Sequence, residues 1–385
     1  MIDVPDRATL EAHLAQSQRV LRELAVHGLD LRGLDLSRAS LTDCELEACV
    51  LAEADLTGAR LERVKLIDCD LTGTKLVDLA ATGLAARGGR WSGADASDAE
   101  LTGPTFDDVD LSGLRASGLG VTGGKLRGGT LRGAKLDGSR WVTSTLEGVE
   151  LAQADFTGAS FEEVGVSPGE RAPSSEGACF DGVDAEALFV EGAQLGMSSW
   201  AHARLLRSGL PLCDLRGTVF EGATLSGCAM VQADLSGANL RATDLSSANL
   251  AGVSLIGADL EDANLDGAIL RATELRGAKI GGVSYGELRA EDVPGIETCL
   301  AGANLAGANL AGLDARGADL SVAQLEDAIL TGANLDGAQL LGTILRGADL
   351  SKATLREAMI VGADLRGANL REATLHGARF EDVDL

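Results

Sequence analysis

Residues 300–320 read Leu300-AGANL-AGANL-AGLDA-RGADL, with leucine or a stand-in at every fifth place and alanine usually two places before it. Of the 18 beats from Leu300 to Leu385, 15 are Leu and 14 have Ala two residues earlier. Working outward, the same phase reaches back to Phe180. A second run, displaced by one residue, extends from Leu31 to Phe161. A period of five suits neither ordinary element. On a helix the beats would spiral around the axis and share no face. On a strand, side chains alternate with period two, so an odd step would throw successive leucines to opposite faces. They can all point one way only if the backbone turns a corner in each pentad. A chain that repeats the same corner closes a loop and climbs, which makes a solenoid.

Rare residues bear on the number of pentads per coil. Trp141 and Phe161 are 20 apart, as are Cys49 and Cys69, and Phe180, Trp200 and Phe220. Like side chains stack on themselves, which favours four pentads over three. Trp91 to Phe106 and Trp141 to Phe156, each 15 apart, argue the other way, so the periodicity leaves both open.

The run Ala-(Asp/Asn)-Leu-x-x, as in Ala233-Asp234-Leu235-Ser236-Gly237, Ala258-Asp259-Leu260 and Ala363-Asp364-Leu365, resembles the pentapeptide repeat proteins. The resemblance covers roughly residues 29 to 385. It implies an all-β fold, a right-handed quadrilateral parallel β-helix with four pentads per coil, its Leu centre and preceding Ala both inside.

The residues agree with that picture. The site two before each centre must be small because it shares the crowded interior. Where it is large the sizes swap, as in Leu79-x-Ala81, Leu84-x-Ala86, Leu114-x-Ala116 and Leu313-x-Ala315, and volume is conserved. Cys44, Cys49, Cys69, Cys213 and Cys228 occupy the small site and read as alanine substitutes.

The order along the chain predicts an N-terminal capping helix within 1–28. Asp6 is its N-cap, Leu10, Leu14, Leu21 and Leu24 form its stripe, and Gly28 is its stop. β-Helix follows over 29–163, a protruding loop over 164–178, β-helix over 179–285, a second loop over 286–299, and β-helix again over 300–385. The stretch 79–130 has the smallest centres (Ala81, Ala86, Ala96, Ala116, Val121) and is expected to be the least stable.

The chain carries 58 acidic against 33 basic residues, a net charge of −25. Such a surface repels nucleic acid and anionic membranes and suits a basic protein partner. No apolar run is long enough to span a membrane. The acidic start Met1-Ile2-Asp3 lacks the core of a secretory leader. Seven cysteines without framework spacing point to reduced thiols in a cytoplasm.

Chemical motifs are weak. Gly118-x-Gly120-x-x-Gly123 matches a dinucleotide fingerprint in letters but lacks the surrounding strand and helix pattern. His13, His27, His202 and His376 are scattered, and no metal or triad spacing is visible. Neither an enzyme activity nor a cofactor is expected. Asp or Asn just before each centre has a structural reason, since Asx side chains bond nearby amides and favour corners.

Beyond that allowance, residues 217–266 hold Glu221, Asp234, Asp244, Asp259, Glu261, Asp262 and Asp266 against Arg241 alone, a candidate docking strip. The second loop adds Glu287, Glu291 and Asp292. The uncapped last coil, with Leu365, Leu370, Leu375, Phe380 and Leu385, reads as a homodimer interface, as the resemblance also implies. The expected function is a non-enzymatic, protein-binding scaffold, with an accessory role in bacterial secretion by family analogy. The alternative implied by the resemblance is a DNA mimic that inhibits or protects DNA gyrase or topoisomerase IV.

Overall fold

A computed structural model of the chain describes residues 1–169, 174–265, 268–269, 278, 300–302, 305–307, 310–313 and 315–385. The expected second loop, 286–299, lies outside the described residues. The chain forms two compact units, Met1–Gln194 and Leu195–Leu385. Each is a parallel β-solenoid of four-pentad coils, the right-handed quadrilateral β-helix expected from the repeat.

The corner is visible at residue level. Two residues after each described centre the backbone enters the left-handed region, at Gly33 (φ 63°), Arg38 (φ 56°) and Asp43 (φ 53°), and likewise at Gly237 (φ 68°) and Val322 (φ 52°). Four such corners close one coil. The partner of each centre therefore lies twenty residues on: Leu41 with Leu61, Leu61 with Ala81, Ala81 with Leu101, Leu101 with Val121 and Val121 with Trp141. The two aromatic spacings report different contacts. Pairs twenty apart stack between coils, as Trp200 does on Phe220 (centroids 6.2 Å, 25°). Pairs fifteen apart meet across a corner edge to face, as Trp91 does with Phe106 (5.4 Å, 86°).

In Met1–Gln194, two of the four sides carry three-residue strands, such as Ser40–Thr42 and Glu45–Glu47. The other two are joined by single bridges, such as Asp30 to Val50 and Asp35 to Asp55. The residue before the centre is often Asp on the bridged sides. Where it is Asp or Asn, its side chain accepts the N–H two residues on, as Asp55 does from Thr57 (2.9 Å) and Asp110 from Ser112 (2.9 Å). That bond curls the segment into a turn. On the bridged sides the residue before the centre is also Val50, Lys75, Arg90, Arg115, Thr130, Lys135 and Glu150, while on the strand-bearing sides it is mostly Ser, Arg, Lys, Glu, Thr, Ala or Gly, as at Ser40, Arg60, Lys65 and Glu100. Asp184 is an Asp on a strand-bearing side, within the strand Asp184–Glu186. Leu195–Leu385 is dense in Asx before its centres, and bridges replace strands over most of its length.

Two expectations need correction. The N-terminal helix, α1, spans only Arg7–Gln16, capped by Asp6, which accepts the Thr9 N–H at 2.8 Å. Leu21 and Leu24 leave it and enter the first coil. Leu21 and Val26 are in phase with Leu31, and that beat outweighs the helical stripe. A strand not foreseen, Ile2–Val4, pairs in parallel with Leu24–Val26, and Leu10 and Leu14 bury the helix against this end. The first loop is also shorter than 164–178. Gly165–Ser167 is an in-line strand paired with Thr145–Glu147, and Ser174 bridges Gln194. Partners across this coil are 24 apart, Phe161 with Ala185 and Val166 with Val190. Four extra residues in one coil account for the one-step slip of the beat.

The interior holds the predicted centres and small sites. Leu250 is fully buried, and the swapped pairs Leu79/Ala81, Leu84/Ala86, Leu114/Ala116 and Leu313/Ala315 are buried together. The five small-site cysteines are buried thiols outside any disulfide. Polar small sites satisfy themselves: Thr74 donates to Leu51 O (2.8 Å) and Thr243 to Phe220 O (2.8 Å). Ser139 and Ser198 accept the indole N–H of Trp141 and Trp200, two residues on (2.9 and 3.0 Å). No helix among the described residues is long and apolar enough to cross a membrane.

Candidate protein-interaction surface

Outward positions fall just before and just after each centre, so every side of a coil presents columns of side chains that repeat every twenty residues. In Met1–Gln194 these columns pair acids with bases between adjacent coils. Lys65 meets Glu45 (3.2 Å), Arg90 meets Asp70 (2.9 Å), Arg115 meets Asp95 (3.3 Å), and Lys135 meets Asp155 (3.0 Å). Arg63 holds Asp43 with two bonds of 2.7 and 2.8 Å. At Asp35 the Ser37 hydroxyl, the Ser37 N–H and Arg19 together bring the carboxyl down to about 2. The exposed pairs contribute little each, but they cancel field locally.

The same unit holds an open groove of about 850 Å³ that the sequence reading missed. The column Gly128, Gly148 and Gly169 forms its floor, and Asp107, Asp108 and Glu150 stand around it. Arg127 lies 3.4 Å from Glu147 at its margin. Gly128 and Gly148, twenty residues apart at one corner, with Gly169 twenty-one further on, are the signal that marks it in the sequence.

In Leu195–Leu385 the predicted acids divide. Glu221, Asp259, Glu261 and Asp262 gather on one side, flanking the stacked centres Phe220, Leu240 and Leu260. Arg241 sits among them, paired with Glu261 and 3.6 Å from Asp259 Oδ2. Glu261 raises the guanidinium pKa further, foremost through its hydrogen bond. Glu221 is exposed and accepts from Asn239 Nδ2 at 3.2 Å, and Asp262 is exposed at its corner.

Asp234 and Asp244 are ten residues apart, two corners, and so lie on opposite sides. Each is engaged in its own turn, Asp234 accepting the Ser236 N–H (3.0 Å) and Asp244 the Ser246 N–H (3.0 Å). The seven acids are therefore not one strip. Asp266, Glu287, Glu291 and Asp292 lie outside the described residues.

On the last coil Leu365 is buried and Leu370 half-buried, whereas Leu375, Phe380 and Leu385 are exposed, the last at 82 %. Among the described residues no group of three or more His, Cys, Asp or Glu side chains could hold a metal.

The model of a known family, described as Pentapeptide repeats (8 copies), matches residues 44–78, 125–162, 213–250, 243–282, 298–337, 321–356 and 348–385, more than half of the chain. The chain belongs to the pentapeptide repeat family. Solved structures similar to this pentapeptide repeat protein include HetL of the cyanobacterium Nostoc sp. strain PCC 7120, involved in heterocyst differentiation regulation. It is 21% identical, with 97% of each chain covered and a TM-score of 0.16. Full-length QnrB1, a plasmid-mediated fluoroquinolone resistance protein, is 13% identical over 71% of this chain and 96% of its own, with a TM-score of 0.22. A pentapeptide repeat protein of the Arabidopsis thaliana thylakoid lumen is 26% identical over 39% of this chain and 70% of its own, with a TM-score of 0.13. Among curated proteins no match was found.

Proposed function

We propose that this pentapeptide repeat protein is a non-enzymatic, acidic, cytoplasmic scaffold that binds a basic protein partner through its coil faces and loops. The observation that carries the reading is the side bearing Glu221, Asp259, Glu261 and Asp262, where, among the described residues, four acids surround Arg241. Elsewhere bases stand opposite acids between coils and the field is blunted. An acidic side on a repeating scaffold steers a basic partner and sets its register. The acids Glu287, Glu291 and Asp292 of the second expected loop add to the acidic character this reading relies on. A role beside bacterial secretion machinery belongs to it by family analogy alone. The exposed Leu375, Phe380 and Leu385 support pairing of two chains through the last coils. Light scattering should then give the mass of two chains, and a single-chain mass removes the dimer.

The second reading is a DNA mimic acting on gyrase or topoisomerase IV, favoured by the net charge of −25. The acid–base pairs between coils weigh against a phosphate-like field. We expect the protein to leave gyrase supercoiling unchanged, and inhibition or protection would replace the scaffold reading with the mimic. For the scaffold, a partner captured from bacterial lysate by the wild type should be lost with the triple variant Glu221→Lys, Glu261→Lys, Asp262→Lys. Capture that survives those changes removes this side from the proposal.

A further inference from the structure

Where a described centre is alanine, a larger residue two places earlier usually fills the interior. Leu79 does so for Ala81, Leu84 for Ala86, Leu114 for Ala116, Val183 for Ala185 and Leu313 for Ala315, and all are buried. Ala96 departs from this, because the residue two before it is Ala94, also buried. Neither site of that pentad supplies bulk. The neighbours in its column are Leu76 and Ala116, and on the adjoining side the next coil carries Val121 rather than Leu. A close-packed interior cannot stretch to absorb the missing volume.

A void of about 40 Å³ results, inside the unit Met1–Gln194. Its wall includes Trp91, Ala96, Leu101, Phe106, Val121 and Trp141, and every side chain lining it is apolar. A water molecule placed there would lack the two to four polar partners that hold water in a protein interior. The lining atoms meanwhile forgo dispersion contacts that any apolar occupant would restore.

We propose that this cavity is a binding site for a small, uncharged, apolar ligand of one or two heavy atoms, such as xenon or dioxygen. Size sets the upper limit, since an apolar cavity of about 150 Å³ is what admits benzene or xenon in a well-studied engineered case. The present one is several-fold smaller and excludes an aromatic ring. With so few ligand atoms the affinity is about millimolar at the strongest. Entry is by local opening of coils whose small centres and frequent glycines make them the easiest to part.

Methyl NMR of the full chain under xenon pressure tests the site. The methyl resonances of Leu101, Val121 and Leu126 should shift and saturate with xenon, while those of Leu235 and Leu250 in the other unit stay in place. Ala96→Val fills the void and should abolish those shifts while raising the melting temperature. Val121→Ile adds a single methylene on the adjoining side of the same cavity and serves the same purpose if the first variant misfolds. Absence of a saturable shift at the lining methyls of the folded wild type overturns the proposal. Shifts that persist in a folded cavity-filled variant overturn it equally.

Discussion

Val322 shows what one corner costs. It occupies the left-handed corner position (φ 52°) with its side chain 62 % exposed. A β-branched residue is poorly suited to that conformation, and nothing buried rewards it. Val322→Gly should raise stability by about 1 kcal/mol, after allowing for the entropy glycine adds to the unfolded chain. Denaturant melts with an unchanged or lower midpoint would contradict this.

Asp35 tests the turn on the other flank of the centre. Its carboxylate accepts the Ser37 N–H (2.9 Å) and hydroxyl (2.7 Å) and the Arg19 guanidinium (2.8 Å). Its folded value of about 2 lies below the ordinary 3.8, so its contribution to stability is complete above that value and is lost as pH falls. Asp35→Ala should therefore cost about 1 kcal/mol at pH 7. The gap to wild type should close as pH drops from about 4 to about 2. A gap that stays constant over that range would mean the charge plays no part.

These roles were largely legible in the sequence. Period five requires a corner, and Asx before the centre has a local partner within reach. What the sequence left open was which acids share a side. Asp234 and Asp244 look adjacent in the text but are two corners apart, whereas Glu221 and Glu261, forty residues apart, share one column.

At the scale of the element, the unit is the twenty-residue coil. Both aromatic spacings in the sequence were real contacts, one along a column and one across a corner, and only coordinates could say which was which. The helix was overextended for a related reason. Leu21 and Leu24 satisfy a helical stripe, but Leu21 also satisfies the beat, and pairing of Val20–Arg22 with Ser40–Thr42 decides between them. The loop was overextended because Pro, Ser and Gly mark a break without showing its width. The coil also predicts how damage spreads. Leu250 is fully buried between neighbouring coils. Leu250→Arg buries a charge that has no partner inside and should cost about 3–5 kcal/mol. Because contacts run only between adjacent coils, hydrogen exchange should accelerate around residues 230–265 first. Unchanged melting together with unchanged exchange would contradict the assignment of this column to the interior.

For the molecule as a whole, the small sites and centres of the described coils face the interior, apart from the exposed end at Leu375, Phe380 and Leu385, and the residues between them form the surface. The native cysteines probe this without any change to the interior. Cys44, Cys49, Cys69, Cys213 and Cys228 are buried at small sites, and Cys179, just before the centre Phe180, is partly exposed. Burial pushes the Cys44 thiol up, and pushes that of Cys228 up to about 12, which further slows reaction. In a Cys299→Ser background, titration of the native protein with a water-soluble disulfide reagent, mapped by mass spectrometry, should label Cys179 alone. The five small-site cysteines should react only after denaturation. Labelling of any of those five in the folded protein would contradict the inward-facing register on which the account rests.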